Sequence, residues 1–440
     1  MGRTQIRALE GNGIILIRPR QTARRRLDIV NSNPGQPVPP YYVKGLALGL
    51  SAFLIGIHLW TWVFTLPIFL HGRADFRQLY TAGYLVRSGR ARQLYDYDTQ
   101  LHFQNELVSH GDIALPFIRP AYQALLFAPL SLLPYRTAYL AFLAVNMVLL
   151  WASFRLLRPR MNRLAQVYRW LPAAMFLGFL PVAAALIQGQ DSVLLLTLLA
   201  AALASLDRDR ELSAGMLVGL GLFKFQIVIP IGLLFLAWRR WRFFVGFALS
   251  SLVVGVASVW LVGISQAGVY VRSLVAMGSG SAARADQLRY PISMNVMPNL
   301  HGLIFGLAGA RVSAFWIATA TVFLSGVVGL LAAAGLPKDE RGADALVLAI
   351  TASAVVSYYL FIHDLSVLLV PIVITLDRFI EAEATGDELG RLKGRASALL
   401  FVSPICMSYI PDYFYVVSLP LLAFLGFLMQ RSGRSAPTEA

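Results

Sequence analysis

An aspartate stands at the end of the first strongly apolar segment of the chain. Residues 43–70 are almost wholly apolar and long enough to cross a bilayer as a helix, and Asp75 follows them closely. The segment 75–96 is polar and aromatic and carries four arginines. A carboxylate at a membrane exit, beside such a segment, indicates chemistry on a substrate that arrives through lipid. The plainer alternative is that Asp75 caps the helix that follows it.

Lys224 is the second residue whose position could support chemistry. It lies in the apolar sequence GLGLFKFQIVIP, where a charged side chain is costly unless it is paired or functional. One interpretation is a lysine that snorkels to the membrane surface. The other is a fixed cation that neutralises a phosphate at membrane depth.

Two more polar groups interrupt apolar sequence further along. His363 and Asp364 stand together in SYYLFIHDLSVLLVP, either as a polar turn or as a histidine that donates to a phosphate or carries a proton. Asn295, Asn299 and His301 occupy YPISMNVMPNLHGLIFGL. Asparagines at the start of a helix are common caps, so a structural role for them is equally consistent with the sequence.

Composition indicates an integral membrane protein. Of the 440 residues, 57% are hydrophobic and 14% charged, and the mean hydropathy is +0.63, whereas soluble domains carry about 25% charged residues. The net charge of +15 does not indicate nucleic acid here, because many arginines precede the first apolar segment, as cytoplasmic flanks do. The single cysteine cannot form an internal disulfide, and no cluster has metal-ligand spacing.

The sequence divides into a basic cytoplasmic tail with a Pro-rich linker (1–42), a membrane domain (43–430) and a short cytoplasmic tail (431–440). We predict an all-α polytopic protein of about twelve transmembrane helices, whose first outer loop carries interfacial helices. Residues 119–133 are too short to cross and predict a half-length or re-entrant helix. Further crossings are expected at 135–157, 170–187, 191–206, 212–223, 225–238, 243–262, 311–335, 343–361, 365–378, 396–411 and 413–430.

Charged connections between these segments set the predicted orientation. They place both termini in the cytoplasm, by the preference of Lys and Arg for that side. When the predicted crossings are counted from the cytoplasmic N-terminus, most of the unusual polar residues fall on the outer face. They are Asp75, Asp96, Arg119, Gln188, Gln190, Asp191, Lys224, Asn295, Asn299, His301, His363 and Asp364.

Several short motifs, in order, resemble a known family. The chain reads D-F-x-x-x-Y-x-A-G-x-L-x-x-S-G from Asp75, followed by ALLFAPLSLLP at 124–134, GQDSVLLLTLLAAAL at 189–203, a glycine-rich run ending at Lys224, and HDLSVLLVP at 363–371. This set is similar to glycosyltransferase family 87, membrane enzymes of GT-C fold that use polyprenol-phosphate sugars and include bacterial α-mannosyltransferases. The family often has Tyr-Pro-Pro where this chain has Arg119-Pro120-Ala121.

The resemblance implies a function and a set of roles. A hexose, with mannose the first expectation, would pass from a polyprenyl-phosphate donor to a lipid or glycan acceptor, with inversion; the pentose arabinose is the alternative donor sugar. The reaction would take place at the extracytoplasmic side of the bacterial inner membrane. The resemblance implies no cofactor or metal, and no nucleic-acid partner. Asp75 would be the general base. The donor phosphate is assigned to Lys224, His363, His301 and Arg119, and substrate contacts to Tyr80, Gln190, Asp191, Asn295, Asn299 and Asp364.

Two other functions use similar residues. A transporter also places Asp, Lys and His within membrane segments, and a flippase or ligase for lipid-linked glycans would share a cationic outer surface. The position of the cavity discriminates between them. A cavity that contains Asp75 and opens on one side favours the transferase, and one that runs between both faces favours transport.

Overall fold

The computed structural model describes residues 41–278, 293–335 and 342–430. The basic tail with most of its Pro-rich linker, the C-terminal tail, most of the GSGS sequence at 278–281 and the connection at 336–341 lie outside the described residues.

The described residues form helices and connections, with no strand among them. Long apolar runs account for the longer helices, and proline or glycine ends many of the short ones. The α-helices are α1 Tyr41–Ile68, α2 Phe76–Arg87, α3 Tyr97–Leu107, α4 Tyr122–Phe127, α5 Tyr135–Leu157, α6 Asn162–Val167, α7 Leu171–Gly178, α8 Leu180–Ile187, α9 Ser192–Leu206, α10 Glu211–Leu220, α11 Phe225–Ala237, α12 Trp241–Val262, α13 Ile264–Gly278, α14 Leu300–Ala308, α15 Ala314–Gly335, α16 Gly342–Val356, α17 Leu369–Thr385, α18 Glu388–Val402, α19 Cys406–Tyr409 and α20 Ser418–Met429.

Six helical stretches in the described part of the chain are long and apolar enough to cross a membrane. They are Tyr41–Arg87, Tyr135–Arg160, Glu211–Ala237, Trp241–Val262, Ala314–Gly335 and Pro411–Met429. These stretches agree with a membrane protein of all-helical class. The total of twelve crossings stays a prediction, because many of the remaining apolar helices are shorter than the ~20 residues that a crossing needs.

One of these stretches is folded back on itself. α10 and α11 are joined by a 3₁₀ turn, and Lys224, at its end, has backbone angles outside the helical range. Glu211, at the start of α10, accepts from Arg240 Nη1 at 2.8 Å, and Arg240 follows the end of α11. The start of α10 and the end of α11 therefore lie next to each other. Glu211–Ala237 is a hairpin with Lys224 at its tip, and not a single straight crossing.

Glycines allow α10 to lie against α12. A Cβ built on Gly215 would lie 1.9 Å from the carbonyl oxygen of Phe243, and one on Gly246 would lie 2.1 Å from that of Leu212. Only the missing side chains permit backbones to approach so closely, as in other small-residue contacts between membrane helices. This packing holds the hairpin, and hence its tip, in place.

The helix after Asp75 does not lie at the surface as the sequence predicted. Most of α2 is buried, including the apolar Leu79 and Leu85 and the charged Arg77. Arg77 donates to the backbone oxygen of Ser109 at 2.8 Å and to Asn105 Oδ1 at 3.1 Å. The interfacial prediction was wrong for α2, because protein covers both its apolar and its polar sides.

The short segment 119–133 agrees with the sequence prediction. It forms the six-residue helix α4 and a 3₁₀ turn, Leu130–Leu132, neither of which could cross a membrane. The first residues of α4 are covered by protein: Tyr122 accepts from the backbone of Phe223 and donates to that of Leu220. Backbone groups of irregular segments are thereby satisfied inside the protein.

Candidate active site

A cavity of about 230 Å³ brings together residues from widely separated parts of the sequence. Its charged and polar lining comes from the α1–α2 connection, the segment before α4, the α8–α9 connection, the tip of the α10–α11 hairpin and the 3₁₀ helix Ile362–Leu368. The polar lining residues are Asp75, Gln78, Arg119, Gln188, Gln190, Lys224, Tyr359, His363 and Asp364.

Aromatic packing fixes the backbone beside Asp75. The ring of Phe76 is fully buried and stacks on Phe142 at 5.3 Å between ring centroids. The amide nitrogen of Phe76 donates to the carbonyl oxygen of Gln188 at 3.0 Å. The residue next to Asp75 is thus anchored both to the aromatic cluster and to the α8–α9 connection.

The carboxylate of Asp75 is directed toward the cavity and does not cap α2. Asp75 occupies the N-cap position, but its side chain makes no capping hydrogen bond. Instead Oδ2 accepts from Gln190 Nε2 at 2.7 Å. Asp75 is half-buried and lines the cavity, so the capping alternative does not describe its side chain.

Gly189 permits the turn that presents the two glutamines. Its φ of +61° lies in the left-handed region, and a Cβ there would lie 2.7 Å from Phe76 Cβ. Asn146 donates to the carbonyl oxygen of Gln190 at 3.1 Å, and Tyr139 donates to that of Ile187 at 2.5 Å. Tyr139 and Asn146 belong to α5 and lie about 6 and 16 Å from its first residue, at 1.5 Å per residue. The turn that they contact is therefore recessed within the helical bundle.

Arg119 is held by the same connection. It forms a buried ion pair with Asp191 through Nη1, and Nη2 donates to Gln190 Oε1 at 2.6 Å. Tyr95 donates to its carbonyl oxygen at 2.7 Å. Burial raises the pKa of Tyr95 above its usual value, so that hydroxyl stays protonated and remains a donor.

Lys224 is paired rather than exposed. Its Nζ lies 2.6 Å from Asp364 Oδ1 and 3.5 Å from Asp191 Oδ1, and the lysine is 3% exposed. Snorkelling to a surface therefore does not describe this lysine. Its one hydrogen bond is to Asp364, and the contact to Asp191 is an ion pair at 3.5 Å, so Lys224 keeps N–H donors for a ligand in the cavity.

Asp364 is held ionised by its neighbours. Burial alone would raise its pKa, but Lys224, with the backbone N–H of Phe361, holds the pKa of this carboxyl well below its usual range. Ser192 adds a hydrogen bond to Oδ1 at 3.2 Å. Asp364 therefore acts as an anion that orients Lys224.

His363 is neutral in this environment. Burial lowers its pKa and Lys224 lowers it further, against the opposing effect of Asp364. Nε2 lies 3.5 Å from Asp364 Oδ1, and Nδ1 lies 3.1 Å from the side-chain amide of Gln188. A neutral ring with its proton on Nδ1 donates to the side-chain oxygen of Gln188.

These contacts form one continuous chain around the cavity. It runs from Asp75 through Gln190, Arg119, Asp191, Lys224 and Asp364 to His363. Three carboxylates and two cations alternate along it, so the cations are not a free positive patch. Among the described residues, no group of three or more His, Cys, Asp and Glu side chains is arranged to hold a metal ion.

The model of one protein family matches residues 117–362, more than half of the chain, and its description is glycosyltransferase family 87. The chain belongs to this family. It is therefore a glycosyltransferase, as the sequence motifs predicted. No curated protein and no solved structure matches it significantly. Asp75, His363 and Asp364 lie outside the matched residues, and the structure places them in the same cavity as the matched Arg119 and Lys224.

Five of the predicted site residues of this family 87 protein do not line the cavity. Asp191 is buried and contacts Arg119 and Lys224, and the other four lie elsewhere. Tyr80 donates to the carbonyl oxygen of Leu133 at 2.8 Å and packs on Tyr135. Asn299 caps α14 through Gly302, and His301 Nδ1 lies 2.7 Å from the carbonyl oxygen of Tyr358. These three, with the half-buried Asn295, are not among the residues that line the cavity.

Other residues of the site were not assigned to it from the sequence. Gln188 and Ser192 contact His363 and Asp364 respectively, and Tyr359 lines the cavity. The sequence does mark Gln188 and Ser192 as candidates, because both belong to QGQDS, a polar run between two apolar segments. Nothing in the sequence near Tyr359 distinguishes it from its aromatic neighbours.

Proposed function

We propose that the chain transfers a hexose, with mannose the first candidate, from a polyprenyl-phosphate donor to a lipid or glycan acceptor. The reaction would take place at the outer face of the inner membrane, with both termini in the cytoplasm. The observation that carries the proposal is one cavity lined by a half-buried carboxylate, Asp75, and two buried cations, Arg119 and Lys224.

In the proposed step, Asp75 accepts the proton of the acceptor hydroxyl as its oxygen attacks the anomeric carbon. The new carbon–oxygen bond forms as the bond from that carbon to the phosphate oxygen breaks, with inversion. The electron pair leaves with the polyprenyl phosphate. Because phosphate leaves without being protonated, one carboxylate suffices, whereas glycosidases use two.

The cations would stabilise this leaving group while remaining bound to their carboxylates. Arg119 has five N–H donors and Lys224 three, and the contacts to Asp191, Gln190 and Asp364 use only some of them. The carboxylates hold the cations in position before the substrate arrives. Donors fixed in this way stabilise developing charge without reorganisation during the reaction.

The position of the cavity supports the transferase over the transporter. A second cavity, of about 370 Å³, lies around the first half of α1 and shares no lining residue with the Asp75 cavity. Leu196, Val370 and Ile372, on helices α9 and α17, are fully buried in the hydrophobic core and line neither cavity. Within the described residues, the two cavities thus do not form one path between the faces.

The test is sugar transfer by the purified protein in lipid, using polyprenyl-phosphate mannose as donor, with Asp75→Asn as the variant. Loss of a general base is expected to lower kcat by about 10²–10⁴-fold. Asp96→Asn is the matched control, because Asp96 caps α3 by accepting from Thr99 N at 2.8 Å and does not line the cavity.

The control should keep most of the activity, and both variants should melt near the wild-type temperature. Full activity of Asp75→Asn would remove Asp75 as the base. Polyprenyl-phosphate arabinose and a sugar nucleotide serve as competing donors. Transfer only from the sugar nucleotide would reject the lipid-linked donor and with it the proposed leaving group.

A further inference from the structure

The second cavity is a groove whose lining is apolar except at one end and at Ser51. It lies between the first half of α1 and helices α6, α7, α17 and α18. The polar residues at its end are Tyr42, Glu383 and Arg395. Representative apolar residues along it are Leu46, Leu50, Leu54, Met175, Phe379 and Phe401.

The groove has the length of one lipid chain. Its lining along α1 extends from Tyr42 to Leu54, about 18 Å at 1.5 Å per residue. One leaflet contributes about 15 Å to a hydrocarbon core about 30 Å thick. A chain lying along the groove with its head at Tyr42 would therefore extend to about the middle of the bilayer.

The buried carboxylate of Glu383 has one oxygen that accepts no hydrogen bond from the described residues. Its side chain is 9% exposed, and Oε2 accepts from the Tyr42 hydroxyl at 2.7 Å. Oε1 has no hydrogen-bond partner among the described residues. Among the described residues, Arg395 forms an ion pair with Oε1 at 3.9 Å, beyond hydrogen-bond distance, and its side chain is 66% exposed. A buried carboxylate oxygen without a hydrogen bond is costly, so Oε1 can accept from a donor on a bound ligand.

We propose that this groove binds a zwitterionic phospholipid that carries a primary ammonium group. The ammonium donates to Glu383 Oε1, the phosphate lies beside Arg395, and one acyl chain occupies the apolar groove. This headgroup carries both charges that the site can pair, an ammonium for the carboxylate of Glu383 and a phosphate for the guanidinium of Arg395. The site lies at the opposite end of α1 from Asp75 and is independent of the transfer reaction.

The test measures lipid retained by the purified full chain in detergent, by native mass spectrometry. Phosphatidylethanolamine, phosphatidylcholine and phosphatidylglycerol with identical acyl chains are added in turn. Phosphatidylcholine has no N–H to donate, so it isolates the contact to Glu383. We expect phosphatidylethanolamine to be retained about tenfold better than phosphatidylcholine, the value of one charge-assisted hydrogen bond.

Three variants make the test specific. Glu383→Gln should remove the preference for the primary amine. Glu381→Gln should keep it, because Glu381 pairs with Arg163 at 2.6 Å and does not line the groove. Ala47→Phe, on the groove side of α1, should lower retention of all three lipids.

The outcomes are decisive in each direction. Equal retention of the three lipids by the wild type would overturn the proposal, as would an unchanged preference in Glu383→Gln. If the full chain retains no lipid, the groove has another occupant, such as the chain segment before Tyr41, and the proposal fails. A melting temperature near wild type for Glu383→Gln confirms that a lost preference is not a folding defect.

Discussion

Gln190 connects the predicted base to the predicted phosphate site. Its amide nitrogen donates to Asp75 Oδ2 at 2.7 Å, and its amide oxygen accepts from Arg119 Nη2 at 2.6 Å. Because one planar amide serves both contacts, the position of the carboxylate depends on that of the guanidinium. Gln190 is therefore a positioning residue for Asp75.

Gln190→Leu should reduce kcat by about 10–100-fold, because Asp75 loses the donor that orients it. Because Gln190 contacts Asp75 and not the substrate's own atoms, the loss should fall on kcat more than on the KM of the acceptor. Steady-state rates at varied acceptor concentration measure both constants. Gln93→Leu, at an exposed position, is the control, and an unchanged kcat in Gln190→Leu would remove Gln190 as a positioning residue.

Lys224→Met should weaken donor binding more than acceptor binding and also lower stability. The variant leaves Asp364 buried without its cation, whereas Asp191 keeps Arg119, and such a change costs about 3–5 kcal/mol. The melting temperature and the two KM values measure these effects. The double variant with Asp364→Asn should recover part of the lost stability, and additive losses would argue against the pair.

Gly189→Ala should destabilise the protein by more than the cost of its backbone angle. The new Cβ would meet Phe76 Cβ at 2.7 Å, so Phe76 or the turn must move. Gly89→Ala is a matched control, because Gly89 has φ +76° and no atom within 4 Å of the added Cβ. Equal losses of melting temperature in the two variants would show that only the backbone angle matters.

His363 should contribute a loss of stability at acid pH. Its pKa is lowered in the folded chain, so below about 6.5 the unfolded chain binds a proton that the folded chain does not. Stability therefore falls as pH drops through that value. The melting temperature of His363→Gln between pH 7.5 and 5.5 should be flatter than that of wild type. His102→Gln, whose side chain is 69% exposed in wild type, should behave as wild type does.

The α10–α11 hairpin predicts that its two ends lie on one side of the membrane. Single cysteines at Asp209 and Arg239, in a Cys406→Ser background, should react with an impermeant thiol reagent from the same side. The reason is the contact of Glu211 with Arg240 at 2.8 Å. Labelling from opposite sides would mean that Glu211–Ala237 crosses the membrane as one helix.

The sequence by itself determined the class of this protein and much of its site. Apolar length and composition predicted an all-helical membrane protein, because a bilayer admits few other spanning structures. Ordered motifs predicted the family, and isolated charges in apolar sequence selected Asp75, Lys224 and the His363–Asp364 pair. Such charges are informative because burying them is costly without a partner or a role.

Only the tertiary structure decided how these residues are used. Lys224 could be a snorkelling side chain or a buried cation, and the hairpin geometry pairs it with Asp364. Asp75 could be a cap, and the turn at Gly189 instead presents Gln190 to it. Asn299 is a cap and not a site residue. The sequence records which residues are polar, but hydrogen-bond partners are set by contacts between segments far apart in the chain, such as Ser192 and Asp364, which are 172 residues apart, and these contacts depend on how the helices pack.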